Sequence, residues 1–318
     1  MKLDSRILVL GFKGLVGSSI VRELKSVGYN NLYLPTHNEL DLLDGWAVAN
    51  YFNKHKPEYV FMCAAKVGGI IANNTYRADF IWENLQIQNT TFYSAYKNNV
   101  TRFLFMGSSC IYPKFSPQPI REEYLLTSEL EKTDEPYAIA KIAGLKLAES
   151  FKRQYGCDFF SVMPTNLYGI NDDFHLENSH VVPGIIARMY KTMQEGKTSF
   201  TVWGTGKPKR EFLYVDDLAR ACVHLMNLDV IDFDYINIGT GKDIEIIEVA
   251  KMIAQELGFT GEILTDPSKP DGTPQKVLDV SKIMNKGWKP EISLREGLKK
   301  SILFYREKII YDIIHPSK

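Results

Sequence analysis

The sequence predicts an α/β fold, with a doubly wound parallel sheet followed by a second, smaller α/β domain. Through the first half of the chain, short apolar runs such as Ile7–Leu10 and Arg102–Gly107 alternate with amphipathic stretches of helical periodicity. Continuous apolar strands separated by such helices are typical of stacked βαβ units, whose sheet is covered on both faces. After about Pro164 the alternation weakens, and long polar loops separate the helical stretches.

The elements follow in chain order. We expect strands over Arg6–Leu10, Asn31–Leu34, Tyr59–Ala65, Arg102–Gly107 and Asp158–Met163, and helices over Val16–Ser26, Trp46–His55, Tyr76–Asn99, Pro136–Tyr155, Val182–Glu195, Ile244–Gly258 and Leu294–Lys308. This order predicts a first domain over residues 1–164 and a smaller one mainly over 165–318, with segments near 212–228 and 235–241 returning to the first. A substrate would bind between them, beyond the carboxyl ends of the strands.

Charge and cysteine content argue against several classes of function. The 318 residues include 38 Lys plus Arg and 38 Asp plus Glu, so no net charge attracts nucleic acid or an anionic membrane. Cys63, Cys110, Cys157 and Cys222 form no CxxC pair, which predicts neither a metal site nor a disulfide framework. The amino-terminal apolar run is too short for a signal peptide, and no stretch is long enough to span a bilayer. We therefore expect a cytoplasmic protein.

A glycine loop separates the first strand from the first helix, with the sequence Gly11-Phe12-Lys13-Gly14-Leu15-Val16-Gly17. Glycines at a spacing of three permit a tight turn, bring backbone N–H groups close to a pyrophosphate, and let the helix pack on the strand. In this strand-loop-helix context the loop predicts a dinucleotide site on a Rossmann-type doubly wound parallel sheet.

The end of the second strand bears on which dinucleotide is bound. Enzymes that use NAD place a carboxylate there to hold the ribose 2′-hydroxyl. In this chain the residues that end and follow the second strand include no acid until Glu39, whereas Lys13 and His37 are placed to face a 2′-phosphate. The sequence therefore favours NADP(H), with solvated surface residues as the alternative interpretation of Lys13 and His37.

Tyr137 and Lys141 lie one helical turn apart and project from one helix face. An ammonium near a phenol lowers the pKa of that phenol from about 10, so the tyrosine can exchange a proton with a carbonyl oxygen during hydride transfer. Ser108, just after the fourth strand, would donate a second hydrogen bond to that oxygen. The pair alone occurs by chance in many helices, but after a glycine loop it indicates a reductase.

Eight segments resemble the GDP-L-fucose synthase family. They are Ala64–Ile70, Asn73–Tyr76, Gly107–Pro113, Glu135–Lys141, Met163–Gly169, Asn178–Val181, Arg210–Phe212 and Lys269–Pro274. The match runs in order from Ile7 to about Phe304. The resemblance implies an extended short-chain dehydrogenase that epimerises C3 and C5 of GDP-4-keto-6-deoxy-mannose and reduces the C4 ketone with NADPH. It also implies a homodimer that pairs the helices near 76–99 and 136–155.

The resemblance also implies roles for individual residues. The catalytic residues are Ser108, Cys110, Tyr137, Lys141 and His180. The residues at substrate-binding positions are Ser109, Asn166, Val181, Arg188, Trp203, Arg210 and Asp271. The residues at cofactor-binding positions are Gly11, Phe12, Lys13, Gly14, Leu15, Val16, Gly17, His37, Asn38, Asp41, Leu42, Met106, Gly107, Ser108, Tyr137, Lys141, Pro164, Asn166, Leu167 and His180.

The chemistry of epimerisation agrees with the roles of Cys110 and His180. A proton next to a ketone is acidic because the carbanion delocalises into an enolate, which Tyr137 and Ser108 would stabilise. Inversion needs a base on one face of the sugar and an acid on the other, and a thiol (about 8.5) and an imidazole (about 6.5) both have pKa values near neutrality. The alternatives are a small buried apolar residue for Cys110 and a polar residue at a helix start for His180.

Two departures and several alternatives remain open. The family usually has arginine where this chain has Lys13 and His37, so the preference for NADP over NAD is expected to be reduced. Gln275 stands where a basic residue is common.

The same chemistry on another GDP-4-keto-sugar, a 6-deoxy-heptose or a colitose precursor, is the main alternative. A 4,6-dehydratase, or a dinucleotide-sensing regulator on the same fold, is less favoured.

Overall fold

The computed structural model describes residues 1–176, 179–269 and 271–314, and gives the backbone alone at 70, 71 and 312–314. Asn178 and Pro270, which belong to the resembling motifs, lie outside the described residues. Within these ranges, no helix combines the length and apolar composition that a membrane crossing requires.

Twelve strands and ten helices are described. The strands are β1 (Ile7–Leu10), β2 (Leu32–Tyr33), β3 (Tyr59–Met62), β4 (Arg102–Met106), β5 (Phe159–Pro164), β6 (Asn166–Tyr168), β7 (Ser199–Trp203), β8 (Lys209–Tyr214), β9 (Tyr235–Ile238), β10 (Asp243–Glu245), β11 (Glu262–Asp266) and β12 (Gln275–Lys276). The helices are α1 (Leu15–Ser26), α2 (Gly45–His55), α3 (Ile70–Thr75), α4 (Arg77–Lys97), α5 (Glu135–Tyr155), α6 (Val181–Gln194), α7 (Val215–Met226), α8 (Ile246–Leu257), α9 (Ser281–Asn285) and α10 (Leu294–Ile314). Short 3₁₀ turns span Ser109–Ile111 and Glu122–Tyr124.

A six-stranded parallel sheet of order β2-β1-β3-β4-β5-β9 forms the centre of the molecule. The order reverses between β1 and β3, which is the position where open α/β sheets bind ligands beyond the carboxyl ends of their strands. This sheet confirms the predicted fold class.

Alternation along the strands separates the two apolar layers of the sheet. Ile7 and Val9 of β1 pack into the layer under α1 and α7, while Leu8 and Leu10 pack into the layer under α2 and α4. All four side chains are fully or almost fully buried. Because both faces are covered, the strands are continuous apolar runs, as the sequence predicts.

The second half of the chain builds a separate apolar core around α6, α8 and α10. There β8 pairs with β6, β10 and β12, and β7 pairs with β11. Of the segments near 212–228 and 235–241, β9 joins the large sheet and α7 packs beside α1, whereas Phe212–Tyr214 belongs to β8 in the smaller sheet.

Some expected boundaries are wrong. The helix expected over Tyr76–Asn99 is α4, but the short helix α3 that precedes it was not predicted; the two meet at Tyr76, where the backbone turns out of helical geometry (φ −104°, ψ 44°). Ile244 and Glu245 belong to β10 rather than to the following helix, because they pair with β8. The last helix continues beyond Lys308 to Ile314.

The buried carboxylate of Glu211 ties three segments together at the carboxyl edge of the sheets. Its side chain is fully buried and accepts hydrogen bonds from the backbone N–H groups of Thr240, Gly241 and Leu278, the last two at 2.7 Å. Burial raises the pKa of this carboxyl, and the backbone donors oppose that effect. A methyl group at Gly239 would overlap the carboxylate, so the turn after β9 must come this close.

We expect Glu211→Gln to lower the free energy of unfolding by about 2–4 kcal/mol, because a glutamine turns an NH₂ group toward at least one backbone N–H that needs an acceptor. The measurement is the denaturation midpoint in urea at unchanged slope. Glu262→Gln, a matched change at an exposed position of β11, is expected to change it by less than about 0.5 kcal/mol. Equal midpoints for the wild type and Glu211→Gln would show that the carboxylate is not needed.

Candidate active site

The glycine loop has the geometry of an anion site. Gly11 has φ +80°, and a methyl group there would lie 2.8 Å from the backbone nitrogen of Ala64. A methyl group at Gly17 would overlap the carbonyl of Gly11, so α1 packs directly on the loop. Gly14 precedes α1, and no acidic side chain occupies the first turn of that helix. The first N–H groups of α1 are therefore available to a negatively charged group.

Charged side chains of both signs follow β2. His37 is 78% exposed, and its Nδ1 lies 4.0 Å from Oδ1 of Asp41. Glu39 accepts hydrogen bonds from the backbone N and Oγ1 of Thr36 at 2.8 Å each. These bonds lower the pKa of Glu39, and the ammonium of Lys13 adds to the effect. Lys13 and His37 therefore each have a carboxylate neighbour.

Lys141 is the buried cation of the site. It is 2% exposed, and its Nζ donates a hydrogen bond of 2.7 Å to the carbonyl of Met106 at the end of β4. The same Nζ lies 4.9 Å from the ring centroid of Phe105 and 5.6 Å from that of Tyr137. Burial lowers the pKa of Lys141 to about 8.

The expectation that Lys141 lowers the pKa of Tyr137 is wrong. Burial raises the pKa of Tyr137 well above 10, and the nearby Cys110 and Asp134 raise it further. Desolvation of a phenolate therefore outweighs the ammonium, which hydrogen-bonds to a backbone carbonyl instead. Tyr137 is consequently a neutral phenol near pH 7, a form that can donate a proton.

Cys110 lies in the 3₁₀ turn that follows β4. Ser108 precedes this turn, and its Oγ accepts the N–H of Cys110 at 3.3 Å. Burial raises the pKa of the Cys110 thiol, and the ammonium of Lys276 is the strongest opposing influence. The Ser108 hydroxyl and Lys141 also lower this pKa, while Asp134 raises it.

His180 caps the start of α6 through its backbone, whose carbonyl accepts the N–H of Gly184 at 2.9 Å. Its side chain is exposed, although the surrounding protein still desolvates the ring and so lowers its pKa. The carboxylates of Asp134 and Asp173 oppose this effect. Asp134 thus interacts with both Cys110 and His180, which places the two predicted proton-transfer residues in one electrostatic cluster.

Two arginines lie on the side of the smaller sheet. The guanidinium of Arg188 stacks 4.1 Å from the ring centroid of Trp203, which is 43% exposed. Arg210 in β8 interacts with Asp271, whose carboxylate accepts hydrogen bonds from the N–H (2.9 Å) and Oγ1 (2.7 Å) of Thr205. Burial lowers the pKa of both guanidinium groups.

The other predicted site residues lie in loops and turns at the ends of the same strands and helices. Phe12, Leu15 and Val16 lie in the glycine loop and first turn of α1; Asn38, Asp41 and Leu42 follow β2; Met106, Gly107 and Ser109 flank Ser108; Pro164, Asn166 and Leu167 span the β5–β6 junction; and Val181 opens α6. Asn166 donates to the carbonyl of Glu211 at 2.8 Å, which fixes its amide beside β8.

Two charged residues of the cluster were missed from sequence. Asp134 lies one helical turn before Tyr137, and Lys276 lies two residues beyond the Lys269–Pro274 motif, next to Gln275. Both interact with the Cys110 thiol. The spacing of Asp134 from Tyr137 is the signal that would have indicated it, whereas Lys276 reaches the site only through the pairing of β12 with β8.

Comparison with known proteins identifies the family of the chain. Residues 7–239 match the model of the NAD dependent epimerase/dehydratase family. The chain is 52% identical to GDP-L-fucose synthase 1 of Arabidopsis thaliana over 306 residues, which cover 96% of this chain and 94% of that protein. It is 48% identical to the GDP-L-fucose synthase of Escherichia coli (strain K12) over 310 residues, covering 95% and 97%.

A solved structure gives the same result for the fold. The GDP-mannoheptose C4 reductase of Campylobacter jejuni, solved with NADP bound, is 39% identical, with a TM-score of 0.88 over 96% of this chain and 99% of that one. From its glycine loop, its Tyr137–Lys141 pair and these full-length matches, the chain belongs to the NAD dependent epimerase/dehydratase family, among the GDP-L-fucose synthases.

Proposed function

We propose that this protein epimerises C3 and C5 of GDP-4-keto-6-deoxy-mannose and reduces the C4 ketone with NADPH, which gives GDP-L-fucose. The observation that carries the proposal is one electrostatic cluster that contains a thiol, an imidazole and a Tyr–Lys pair. Two different acid/base groups are what a double epimerisation needs, and a phenol is what ketone reduction needs. The similarity to GDP-L-fucose synthases supports the same assignment.

The residues present fit NADP(H). The first N–H groups of α1 would bind the pyrophosphate, and any side chain at Gly11 or Gly17 would displace the loop that precedes them. Lys13 and His37 are exposed on the side of a 2′-phosphate. When bound, the cofactor supplies the hydride for C4. The four free thiols fit the reducing cytoplasm, where we place the enzyme.

For epimerisation, the charges around the two proton-transfer groups suggest their roles. Two ammonium groups, those of Lys276 and Lys141, face Cys110 and favour its thiolate. Two carboxylates, those of Asp134 and Asp173, face His180 and favour its protonated ring. We therefore assign proton removal next to the ketone to Cys110 and proton return to His180. The enolate oxygen would accept hydrogen bonds from Ser108 and Tyr137.

For reduction, Tyr137 would donate the proton that the C4 oxygen needs. Burial keeps the phenol neutral, so the proton is present before hydride transfer begins. Ser108, whose Oγ accepts the N–H of Cys110, would donate its hydroxyl proton to the same oxygen. Lys141 would hold this end of the site together through its hydrogen bond to the Met106 carbonyl.

The arginines would hold the nucleotide part of the substrate. A GDP-sugar has a diphosphate, and the guanidinium of Arg210 and the ammonium of Lys276 lie next to each other in the β8–β12 pair. The exposed ring of Trp203 offers a face for stacking, and Arg188 supports it from the other side. These contacts involve the diphosphate and the nucleoside rather than the sugar.

A second candidate is the same chemistry on a GDP-4-keto-heptose. It is favoured by the likeness to the Campylobacter jejuni heptose reductase over almost the whole chain. The residues assigned to the ketone and to the diphosphate suit either sugar. Identity to the fucose synthases is higher, and for that reason we place the hexose first.

To test the proposed function, the purified protein is incubated in D₂O with NADPH and either the 6-deoxyhexose or the heptose form of a GDP-4-keto-sugar. We expect NADPH oxidation with the hexose, and NMR should show a GDP-L-fucose product with deuterium at C3 and C5. Faster turnover of the heptose would favour the second candidate, and no turnover of either sugar would refute both.

Variants separate the two steps. Cys110→Ser should slow deuterium entry at C3 and C5 by about 10²- to 10⁴-fold, as expected for loss of a general base, while direct reduction of the unepimerised ketone survives. Tyr137→Phe should almost abolish NADPH oxidation yet leave some exchange, since Ser108 still supports the enolate. Wild-type exchange in Cys110→Ser, or full reduction in Tyr137→Phe, would contradict the roles.

Cofactor preference should be modest and depend on Lys13. We expect Lys13→Ala to raise the KM for NADPH about fivefold, equivalent to an exposed ion pair of about 1 kcal/mol, and to leave the KM for NADH nearly unchanged. Wild-type preference should shrink with added salt, because counterions screen the attraction between the Lys13 ammonium and the 2′-phosphate. Titration of NADPH fluorescence checks the affinity directly. Unaltered preference in Lys13→Ala would place the phosphate contact elsewhere.

We also expect a homodimer formed through α4 and α5. These helices pack against each other and carry large exposed apolar side chains, including Trp82 (59% exposed), Tyr93 (57%) and Ile139 (42%). Light scattering at micromolar concentration should give twice the chain mass of 36.3 kDa. Trp82→Glu should shift the protein towards the monomer, while Trp46→Glu, at an exposed site on α2, should not. A monomeric wild type would refute the dimer.

A further inference from the structure

Asp134 occupies an unusual place at the start of α5. It precedes the helix, but its side chain accepts no capping hydrogen bond from the first turn. It lies one turn before Tyr137, and α5 packs against the 3₁₀ turn that contains Cys110. Within the described ranges, no hydrogen bond or ion pair of its carboxylate is found. A carboxylate at this position is thus free to act on its surroundings through charge.

The neighbouring acids behave differently. Glu131 forms an ion pair of 2.7 Å with Lys114, and Glu135 forms one of 3.3 Å with Arg77. The Arg77 guanidinium also donates to the carbonyl of Lys132 at 2.8 Å, which fixes the segment before α5. The carboxylates of Glu131 and Glu135 are therefore each paired with a cation, whereas, among the described residues, that of Asp134 is not.

Asp134 faces charged or titratable side chains from several parts of the fold. Lys276 in β12, Glu131 just before α5 and His180 at the start of α6 act on its carboxylate, and burial opposes its ionisation. In turn Asp134 acts on Cys110 and on Tyr137. Cys110 also faces Lys276 and Lys141, and His180 also faces Asp173. Asp134 is thus the acidic group that both proton-transfer residues share.

We propose that Asp134 is a positioning residue that stabilises the protonated forms of both Cys110 and His180 and so sets the pH range of the epimerisation. The proposal rests on the proposed function for its link to the reaction, but the charge effect itself belongs to the folded protein. A carboxylate shared by the two groups keeps His180 ready to return a proton, and it prevents Lys276 and Lys141 from ionising Cys110 too far.

The signs of the effect are fixed by charge. Removing the negative charge of Asp134 lowers the pKa of Cys110 and also that of His180, since both protonated forms lose a stabilising neighbour. At a given pH, more thiolate and less imidazolium are then present. Both limbs of the pH profile for exchange at C3 and C5 should therefore move to lower pH.

Asp134→Asn is the central variant, because asparagine serves as well as aspartate before a helix and the fold should be kept. With iodoacetamide at pH 7.5, mass spectrometry should show Cys110 alkylated about two- to fivefold faster, a gain in thiolate that is partly offset by lower nucleophilicity. Imidazole NMR, assigned with His180→Asn, should show His180 titrating at lower pH. Asp134→Glu should restore the alkylation rate of Cys110 and the titration of His180 towards those of the wild type.

Glu135→Gln is the matched control, since it removes the same charge one residue away from an acid that is paired with Arg77. It should leave the labelling of Cys110 and the titration of His180 unchanged. Wild-type labelling and titration in Asp134→Asn, or equal shifts in Glu135→Gln, would overturn the proposal. If the wild type turns over no GDP-4-keto-sugar, the proposed function fails, and the labelling and the titration still decide whether Asp134 acts on the two groups.

Discussion

The buried carboxylate of Glu211 is the constraint on which the site depends. Its three backbone donors come from the turn after β9 and from the segment after β12, while its own carbonyl accepts the side chains of Thr165 and Asn166. One fully buried residue therefore joins the end of β5 to the smaller sheet. This junction acts together with the pairing of β6 with β8 to hold the smaller sheet beside the turn after β4.

Desolvation is the common influence on the groups placed there. Burial is the largest cause of the pKa shifts of Cys110, Tyr137, Lys141 and His180, and it disfavours the charged form of each. In such surroundings a single nearby charge has a larger effect than it would in water. Under the proposed function, a few charged neighbours would thus control proton transfer at residues that burial otherwise keeps neutral.

The sequence predicts the parts of this arrangement that local patterns specify. Apolar strands such as Ile7–Leu10 must be buried on both faces, the glycines after β1 permit a tight turn against α1, and Tyr137 and Lys141 share a helix face by spacing alone. The sequence does not predict what distant segments bring together. Lys276 reaches the site through strand pairing, and the raised pKa of Tyr137 depends on burial by the whole fold, so neither follows from a motif.

Exposure divides the cofactor site into a fixed part and a variable part. Gly11 and Gly17 have no room for a side chain, so substitutions there would displace the loop itself. Lys13 and His37 project into solvent, and neither contributes to an apolar core. Substitutions at these two surface positions can therefore change the charge beside the glycine loop without repacking the interior of the protein or moving the turn after β4.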